Sequence, residues 1–285
     1  MPATPTIRRV TSVRGTRGFI ALPQVDPGQR VWCKSSPHAR TLLWERSALL
    51  EVRRSGAIRI DCLRSPASIL DDLTSPALAL YHMGRGCGVL HAGGLAHGGV
   101  CAALLGPPGA GKSSLVLAGA RRGMEVVSDE IVPFRRQGSR FVVPGGSPVI
   151  RIDPAALGRA TRGSAPDGAR NRVRRKTAID VRRRGWRFTG GPWRLAALIF
   201  LGDRTRRGGP AARIEPLAPM ETVVGLIDQT YNRKIMTAGE WRAHLRTCAA
   251  VAERIPAHRL VVRQGLKSLP RAVTLVKTLL DRARR

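Results

Sequence analysis

Gly106-Pro107-Pro108-Gly109-Ala110-Gly111-Lys112-Ser113 is the stretch on which the fold of this 285-residue chain turns. It satisfies the spacing G-x-x-x-x-G-K-S of a phosphate-binding P-loop. An apolar run, Val100 to Leu105, precedes it and a helix-forming run, Ser114 to Arg122, follows. That strand, loop and helix order is the context in which such a loop cradles phosphate. Glycines let the backbone wrap closely around an anion, while the amide N–H groups and the helix N-terminus supply a positive field. Lys112 would bridge the β- and γ-phosphates and the Ser113 hydroxyl would face Mg²⁺, with Ser114 completing the cradle. The alternative is a Gly/Pro-rich turn that holds no ligand, against which both flanking elements speak.

A loop lysine and a serine do not by themselves hold a metal or activate an acceptor, so an acidic partner is expected nearby. The helix should stop at Arg121-Arg122-Gly123, where glycine suits the residue after the last turn. A strand, Met124-Glu125-Val126-Val127, then leads into Ser128-Asp129-Glu130. The acids stand seventeen and eighteen residues beyond Lys112, room for one helix and one strand. They therefore end the strand that follows the loop helix, and can face the γ-phosphate. In most P-loop GTPases and motor ATPases the acidic strand comes later. The bland reading of the pair is a solvated turn after a strand.

Upstream, His91-Ala92-Gly93-Gly94-Leu95-Ala96-His97-Gly98-Gly99-Val100 reads as a hairpin that delivers the chain to the loop strand. Three segments together, Leu90 to Gly94, Leu104 to Leu115 and Arg122 to Glu130, resemble the catalytic domain of HPr kinase/phosphorylase and its short stand-alone relatives, such as the kinases of lasso-peptide gene clusters. The likeness is specific over about forty residues. It continues more weakly through Arg175-Lys176-Thr177-Ala178-Ile179-Asp180 and Trp193 to Leu201, covering residues 75 to 280 in all. The resemblance implies an α/β fold like the C-terminal domain of that kinase (phosphoenolpyruvate carboxykinase-like), a mixed sheet with flanking helices. It also implies ATP and Mg²⁺ as cofactors, and phosphate transfer to a serine hydroxyl on a peptide or small protein.

Matched position by position, His91 falls on the family's active-site histidine, Lys112 on its loop lysine and Ser113 on its magnesium ligand. Asp129 falls on the acid that accepts the proton of the substrate hydroxyl. Glu130 stands where the family has a second Asp, one methylene longer. The family's later glycine-rich signature, with its magnesium-binding glutamate, is not found, which leaves the phosphorylase half of the bifunctional enzyme without its residues. Read by itself, His91 can equally cap a turn or sit in a polar contact, and His97 is most simply a turn residue.

Charge is the second large feature: 49 Lys plus Arg against 19 Asp plus Glu give a formal net charge of +30. A nucleotide neutralises only a few of these. The surplus is dense between Arg159 and Arg187, where eleven basic residues meet only Asp167 and Asp180. Three readings stand for it: a generally basic solvated surface, a dock for an acidic peptide or its phosphorylated product, or nucleic acid. Nucleic acid is disfavoured, since only Trp186 and Phe188 are interleaved as stacking aromatics. Arg174, Arg175 and Lys176 fall in the segment matched to the family's functional lysine and are candidate phosphate- or substrate-facing cations.

With 43% hydrophobic residues the chain can bury a substantial core, built from Leu, Val, Ile and Ala because aromatics are 4%. Five cysteines without a CxxC pair speak against a disulfide scaffold or structural zinc and for a reducing cytoplasm. No secretory signal opens the first thirty residues, and no apolar run approaches the ~20 residues that span a bilayer. Self-association into a homo-oligomer is left open.

Periodicity supplies a coarse map. Residues 1 to 30 read as loosely held, Val31 to Leu63 as small strands and Ser65 to Met83 as a helix. Phe141-Val142-Val143-Pro144 and Val149-Ile150-Arg151-Ile152 read as strands paired around Gly145-Gly146, and Gly158 to Gly168 as a flexible loop. Leu195 to Leu201 reads as a doubly buried strand. Helices are expected at Met220 to Tyr231, Trp241 to Arg254 and Pro270 to Arg285, with a strand at His258 to Val262. Residues 1–80 are expected to form a basic N-terminal segment with small α/β elements, and 81–285 a P-loop kinase domain. The sequence thus points to an ATP-dependent serine kinase of the cytoplasm. The alternatives are a nucleotide-gated binding module for an acidic partner or nucleic acid, and a kinase for a small molecule or saccharide.

Overall fold

The computed structural model of the chain describes residues 6–10, 18–22, 30–45, 47–63, 66–153, 176–202, 210–263 and 265–284. They form two compact units, residues 1–87 with 232–241, and residues 88–231 with 242–285.

In the first unit, strands β1 (Thr6–Arg9), β2 (Ile20–Ala21), β3 (Val31–Ser35), β4 (Ala39–Trp44), β5 (Ala48–Arg53) and β6 (Ile58–Cys62) form a sheet in the order β1-β6-β5-β4-β3-β2. Strands β2 to β6 run as an antiparallel meander. In β5 the period of two is plain: Ala48, Leu50 and Val52 are buried, whereas Leu49, Glu51 and Arg53 are not. Helix α1 (Pro66–Met83) lies against β5, with Leu73, Ala77 and Leu80 buried. One expectation needs correcting here. Thr6–Arg9 is not loosely held but pairs in parallel with β6, Ile7 opposite Ile60.

The second unit is built on a mixed sheet of nine strands. Its members are β7 (Gly88–Leu90), β8 (Gly93–His97), β9 (Val100–Leu105), β10 (Glu125–Ser128), β11 (Val132–Gln137), β12 (Arg140–Val143), β15 (Trp193–Leu201), β16 (Ala212–Pro216) and β17 (Ala257–Val262). The main path is β10-β8-β9-β15-β12-β11-β7. Strand β15 runs parallel to β9 along one edge. Its other edge is shared, with β12 antiparallel at Trp193–Arg194 and β17 parallel from Leu198 to Leu201. The β8–β9 hairpin turns on Gly98 and Gly99, both at positive φ (58° and 80°), as a two-residue turn requires. His97 therefore ends a strand rather than occupying the turn, and its Nε2 lies 3.3 Å from Asp281.

Alternate residues of β9 face two different layers. Val100, Ala102 and Leu104 pack with Leu115 and Val116 of α2 (Lys112–Ala120) and with Val273 and Val276 of a C-terminal helix, Leu269–Arg284. Cys101, Ala103 and Leu105 pack instead with Leu226 of α3 (Pro219–Asp228) and with Cys248 and Val251 of α4 (Ala238–Arg254). The C-terminal helix is α5. Helices on both faces explain why β9, and β15 from Leu195 onward, read as unbroken apolar runs. The second unit is thus α/β, a mixed sheet with flanking helices.

A second correction concerns β13 (Val149–Ile152). It does not return along β12, but pairs with β14 (Thr177–Asp180) in a separate two-stranded sheet. The intervening Gly146 passes so close to β10 that a Cβ there would lie 1.8 Å from the Val127 carbonyl oxygen, and the Ser147 N–H donates to that same oxygen. The chain is thereby carried across β10 instead of folding back. The loop expected at Gly158 to Gly168 lies outside the described residues. Among those described, no helix is long and apolar enough to cross a membrane.

Candidate active site

Strand β9 ends at Leu105, and the next six residues form the glycine-rich loop. Gly106, Gly109 and Gly111 hold φ of 144°, 83° and 102°, a region that costs any residue with a Cβ. Nothing lies within 4 Å of a Cβ built on Gly109, so there the backbone alone demands glycine. Gly111 caps α2 in the left-handed conformation without a side-chain hydrogen bond. The first amides of α2 thus have no capping side chain, the condition under which a helix N-terminus receives an anion.

The loop lines a cleft of about 870 Å³, within the range of small-ligand sites. Around this one space stand His91, residues 107–114, Asp129, Glu130 and Lys176, all named from the sequence. Gly106 lies at the base of the loop. Arg174 and Arg175 lie outside the described residues.

Lys112 is buried, 7% exposed, and its Nζ donates to the carbonyls of Gly106 (2.5 Å) and Pro107 (3.3 Å). Burial lowers its pKa, an effect that the Asp129 charge partly offsets and Lys176 reinforces. Asp129 follows β10, whose pairing with β8 shifts register between Val126 and Ser128, a bulge that re-aims the residues after it. The Asp129 carboxyl is 5% exposed; its Oδ2 accepts the Arg151 amide at 2.8 Å, and its Oδ1 is buried with no hydrogen-bond partner. Burial pushes its pKa up to about 7, although the Arg151 amide and the Ser113 hydroxyl pull the other way. Glu130 adds to the rise by like charge and Lys176 opposes it.

Glu130 itself accepts the Arg151 guanidinium at 2.8 Å. Arg151 therefore grips both acids, one through its backbone and one through its side chain. No expectation from sequence included it. The available signal was a single arginine inside the apolar strand Val149-Ile150-Arg151-Ile152, a place where a charge persists only with a partner. Asp153 and Arg263, also on the cleft, were missed as well. His91 donates its backbone N–H to Gln229 at 2.7 Å, and its ring stacks on Tyr231 with centroids 6.2 Å apart.

Would Mg²⁺ suit these residues? A partnerless carboxylate oxygen at Asp129 beside the Ser113 hydroxyl, with Glu130 adjacent, is a hard oxygen set. Mg²⁺ is bound by one or two carboxylates together with phosphate oxygens and water. The residues fit. A group of three or more His, Cys, Asp or Glu side chains is absent among the described residues, and such a site does not require one.

Of the dense basic stretch, Lys176, Arg182, Arg183, Arg184 and Arg187 are described and exposed. Trp186 and Phe188 pack against the core, so they do not stand out as stacking platforms for bases.

No protein-family model matches the chain. Over 84 residues it is 39% identical to the tRNA modification GTPase MnmE of Parvibaculum lavamentivorans, a match covering 30% of this chain and 19% of that protein. The chain thus spans about a fifth of that relative's length. Among solved structures, the Hpr(Ser) kinase/phosphatase from Coxiella burnetii aligns with a TM-score of 0.38 and 14% identity, over 67% of this chain and 88% of that one. A likeness that slight bears no functional weight, and the reading below rests on the residues of the cleft.

Proposed function

We propose that the cleft binds a nucleoside triphosphate with Mg²⁺ and transfers the γ-phosphoryl group to a serine hydroxyl on a peptide or small protein. The observation that carries this reading is Asp129: a buried carboxyl with a pKa near 7 and an oxygen without a partner, in the same cleft as the loop lysine and serine. A base poised near neutral pH is what removal of a hydroxyl proton calls for. In the transfer, the acceptor oxygen bonds to the γ-phosphorus, its proton passes to Asp129, and the bond to the β-phosphate oxygen breaks with its electron pair leaving on the diphosphate.

Lys112 would exchange its carbonyl contacts for phosphate oxygens and steady the charge as it moves. The loop amides and the α2 N-terminus hold the β-phosphate. Ser113 and an acid of the 129/130 pair would hold Mg²⁺, which when bound neutralises charge on the β- and γ-oxygens. Arg151 fixes both acids, and His91, backed by Tyr231, orients the acceptor. Lys176 adds a cation facing Asp129. Each of these residues belongs to the second unit, and the proposed kinase domain remains 81–285.

The test is incubation of the purified protein with γ-labelled ATP, Mg²⁺ and serine-containing peptides. Label retained on peptide serine by the wild type and lost in Asp129→Asn is the expected result. Transfer by Asp129→Asn at the wild-type rate would sink the reading. The stretch similar to a GTPase favours a second reading, a nucleotide-hydrolysing binding module; its signature in the same assay is label released only as inorganic phosphate.

A further inference from the structure

Helix α3 turns one side to the sheet and leaves an apolar ridge on the other. On the inner side Thr222 and Leu226 are buried, and the Phe200 ring leaves no room for a Cβ on Gly225. On the outer side Met220 is 73% exposed and Val224 52%. Among the described residues Ile20 is the other large apolar side chain so exposed, and it belongs to the first unit. A single apolar residue on a surface calls for no explanation, but these two stand four residues apart and are neighbours on one ridge. Asp228, exposed and four residues further, continues it, and Tyr231 follows three residues later.

The ridge leads into the cleft. Thr230 bridges to Leu90, the His91 N–H donates to the Gln229 carbonyl, and Tyr231 stacks on the His91 ring at the cleft wall. We propose that this ridge docks the acceptor: a peptide segment beside the target serine lays apolar residues on Met220 and Val224 and sets a lysine or arginine against Asp228. The inference rests on the phosphotransfer reading above and adds the chemistry of the substrate.

Charge selects this occupant. Residues 214–232 hold three acids and no Lys or Arg, in a chain with 49 such residues among 285. Arg213 takes up Glu215 at 2.6 Å and Arg259 takes up Glu221 at 3.0 Å. Asp228 has no ion-pair partner among the described residues, so the acid nearest the cleft is the one left for a ligand. On a molecule of net charge +30, such a place draws a cation that the rest of the surface repels. Methionine, unbranched and polarizable, adapts to apolar side chains of different shape.

Spacing sets the pattern. A helix rises 1.5 Å per residue, which puts Asp228, Val224 and Met220 about 5, 10 and 16 Å before Tyr231. An extended peptide covers about 3.3 Å per residue. The cation therefore falls about one residue from the serine, and the apolar residues about three and five. Those positions share one side of an extended strand, so all of them can face the ridge together.

Two fluorescein-labelled serine peptides decide the matter, each made with its flank on either side of the serine. The first carries Lys one residue away and Leu three and five away; the second carries Glu and Gly at those places. Anisotropy titrations of the full chain with Mg²⁺ and a non-hydrolysable ATP analogue are expected to show the first bound about tenfold more tightly, in one orientation. Equal affinity for both peptides overturns the ridge, and this comparison needs no substitution. Met220→Ser with Val224→Ser should abolish the advantage, and Asp228→Lys should turn the charge preference from Lys to Glu in peptides that keep both leucines. A preference undiminished in both variants overturns the proposal. In the γ-label assay the variants should raise KM for the first peptide about tenfold with kcat held within about twofold, because none of the three side chains touches a reacting atom. Selective binding without transfer to either peptide breaks the phosphotransfer reading and leaves the ridge standing. A wild-type dimer that Met220→Ser with Val224→Ser converts to monomer, read by light scattering, assigns the ridge to a second copy and overturns the proposal.

Discussion

Asp61 and Asp129 are both buried aspartates, one in each unit, and they answer to burial in opposite ways. At Asp61, burial would raise the pKa, but hydrogen bonds from Arg59 (2.6 Å) and Arg8 (3.1 Å) hold it below the usual carboxylate range. At Asp129 burial prevails, because the groups that face it are a backbone amide and a hydroxyl rather than a guanidinium in contact. The nearby guanidinium, that of Arg151, is turned to Glu130 instead. A countercharge in hydrogen-bond contact makes a buried acid part of the scaffold; without one in contact the acid calls for a proton, a metal or a substrate. On the proposed reading, stability and function are thus separated between two residues of the same type.

The largest expected effect falls on catalysis. Asp129→Asn should lower kcat for phosphotransfer by about 10²–10⁴ while nucleotide affinity changes little, as read by steady-state kinetics beside a binding isotherm. Asp61→Asn should leave kcat unchanged. An equal loss from both would erase the contrast.

Next in size is an inverted stability effect. A carboxyl whose folded pKa is raised to about 7 stabilises the fold fully below its unfolded value near 4, and that stability is lost as pH rises through 7. At pH 8 the nucleotide-free wild type therefore carries a buried charge that Lys112 and Lys176 offset only in part, and Asp129→Asn should stabilise it by about 2 kcal/mol, seen as a higher midpoint in urea. The gain should shrink toward pH 5. Adding Mg²⁺ and nucleotide should raise both midpoints by similar amounts, since the stabilisation follows affinity and the affinity is little changed.

Smaller still, Asp61→Asn should cost about 1 kcal/mol near neutral pH, since Arg8 and Arg59 are roughly half exposed and solvent screens the pair. Its depressed pKa contributes stability above the unfolded value near 4, lost as pH falls through the lower folded value. The Asp61→Asn penalty should therefore disappear in acid, where the Asp129→Asn gain has already gone. Urea midpoints of both variants across pH 3 to 8 test the opposite slopes.

How much of this was legible beforehand depends on how local the signal is. The loop 106–113, the strand before it and the helix after it could be read because torsion and apolar period are written in consecutive residues. Helices α1, α3, α4 and α5 were anticipated for the same reason. Strand partners are not: a shared glycine pair points β13 to β12, whereas its partner β14 lies across the stretch 153–176. Thr6–Arg9 carries no local strand signal because its mate, β6, is some fifty residues away. Arg151 was missed although visible, since an arginine in an apolar strand announces a partner without naming it.

The sequence by itself determined a glycine-rich loop between strand and helix, and an acidic pair one helix and one strand later. Only the tertiary structure decided that Asp129 would be buried with a partnerless oxygen, that Arg151 would hold both acids, and that Lys176 and His91 would share their cleft. The reason is physical. Backbone conformation follows from neighbours along the chain, whereas the acidity of a carboxyl follows from water excluded and charges brought near by segments the chain returns from afar.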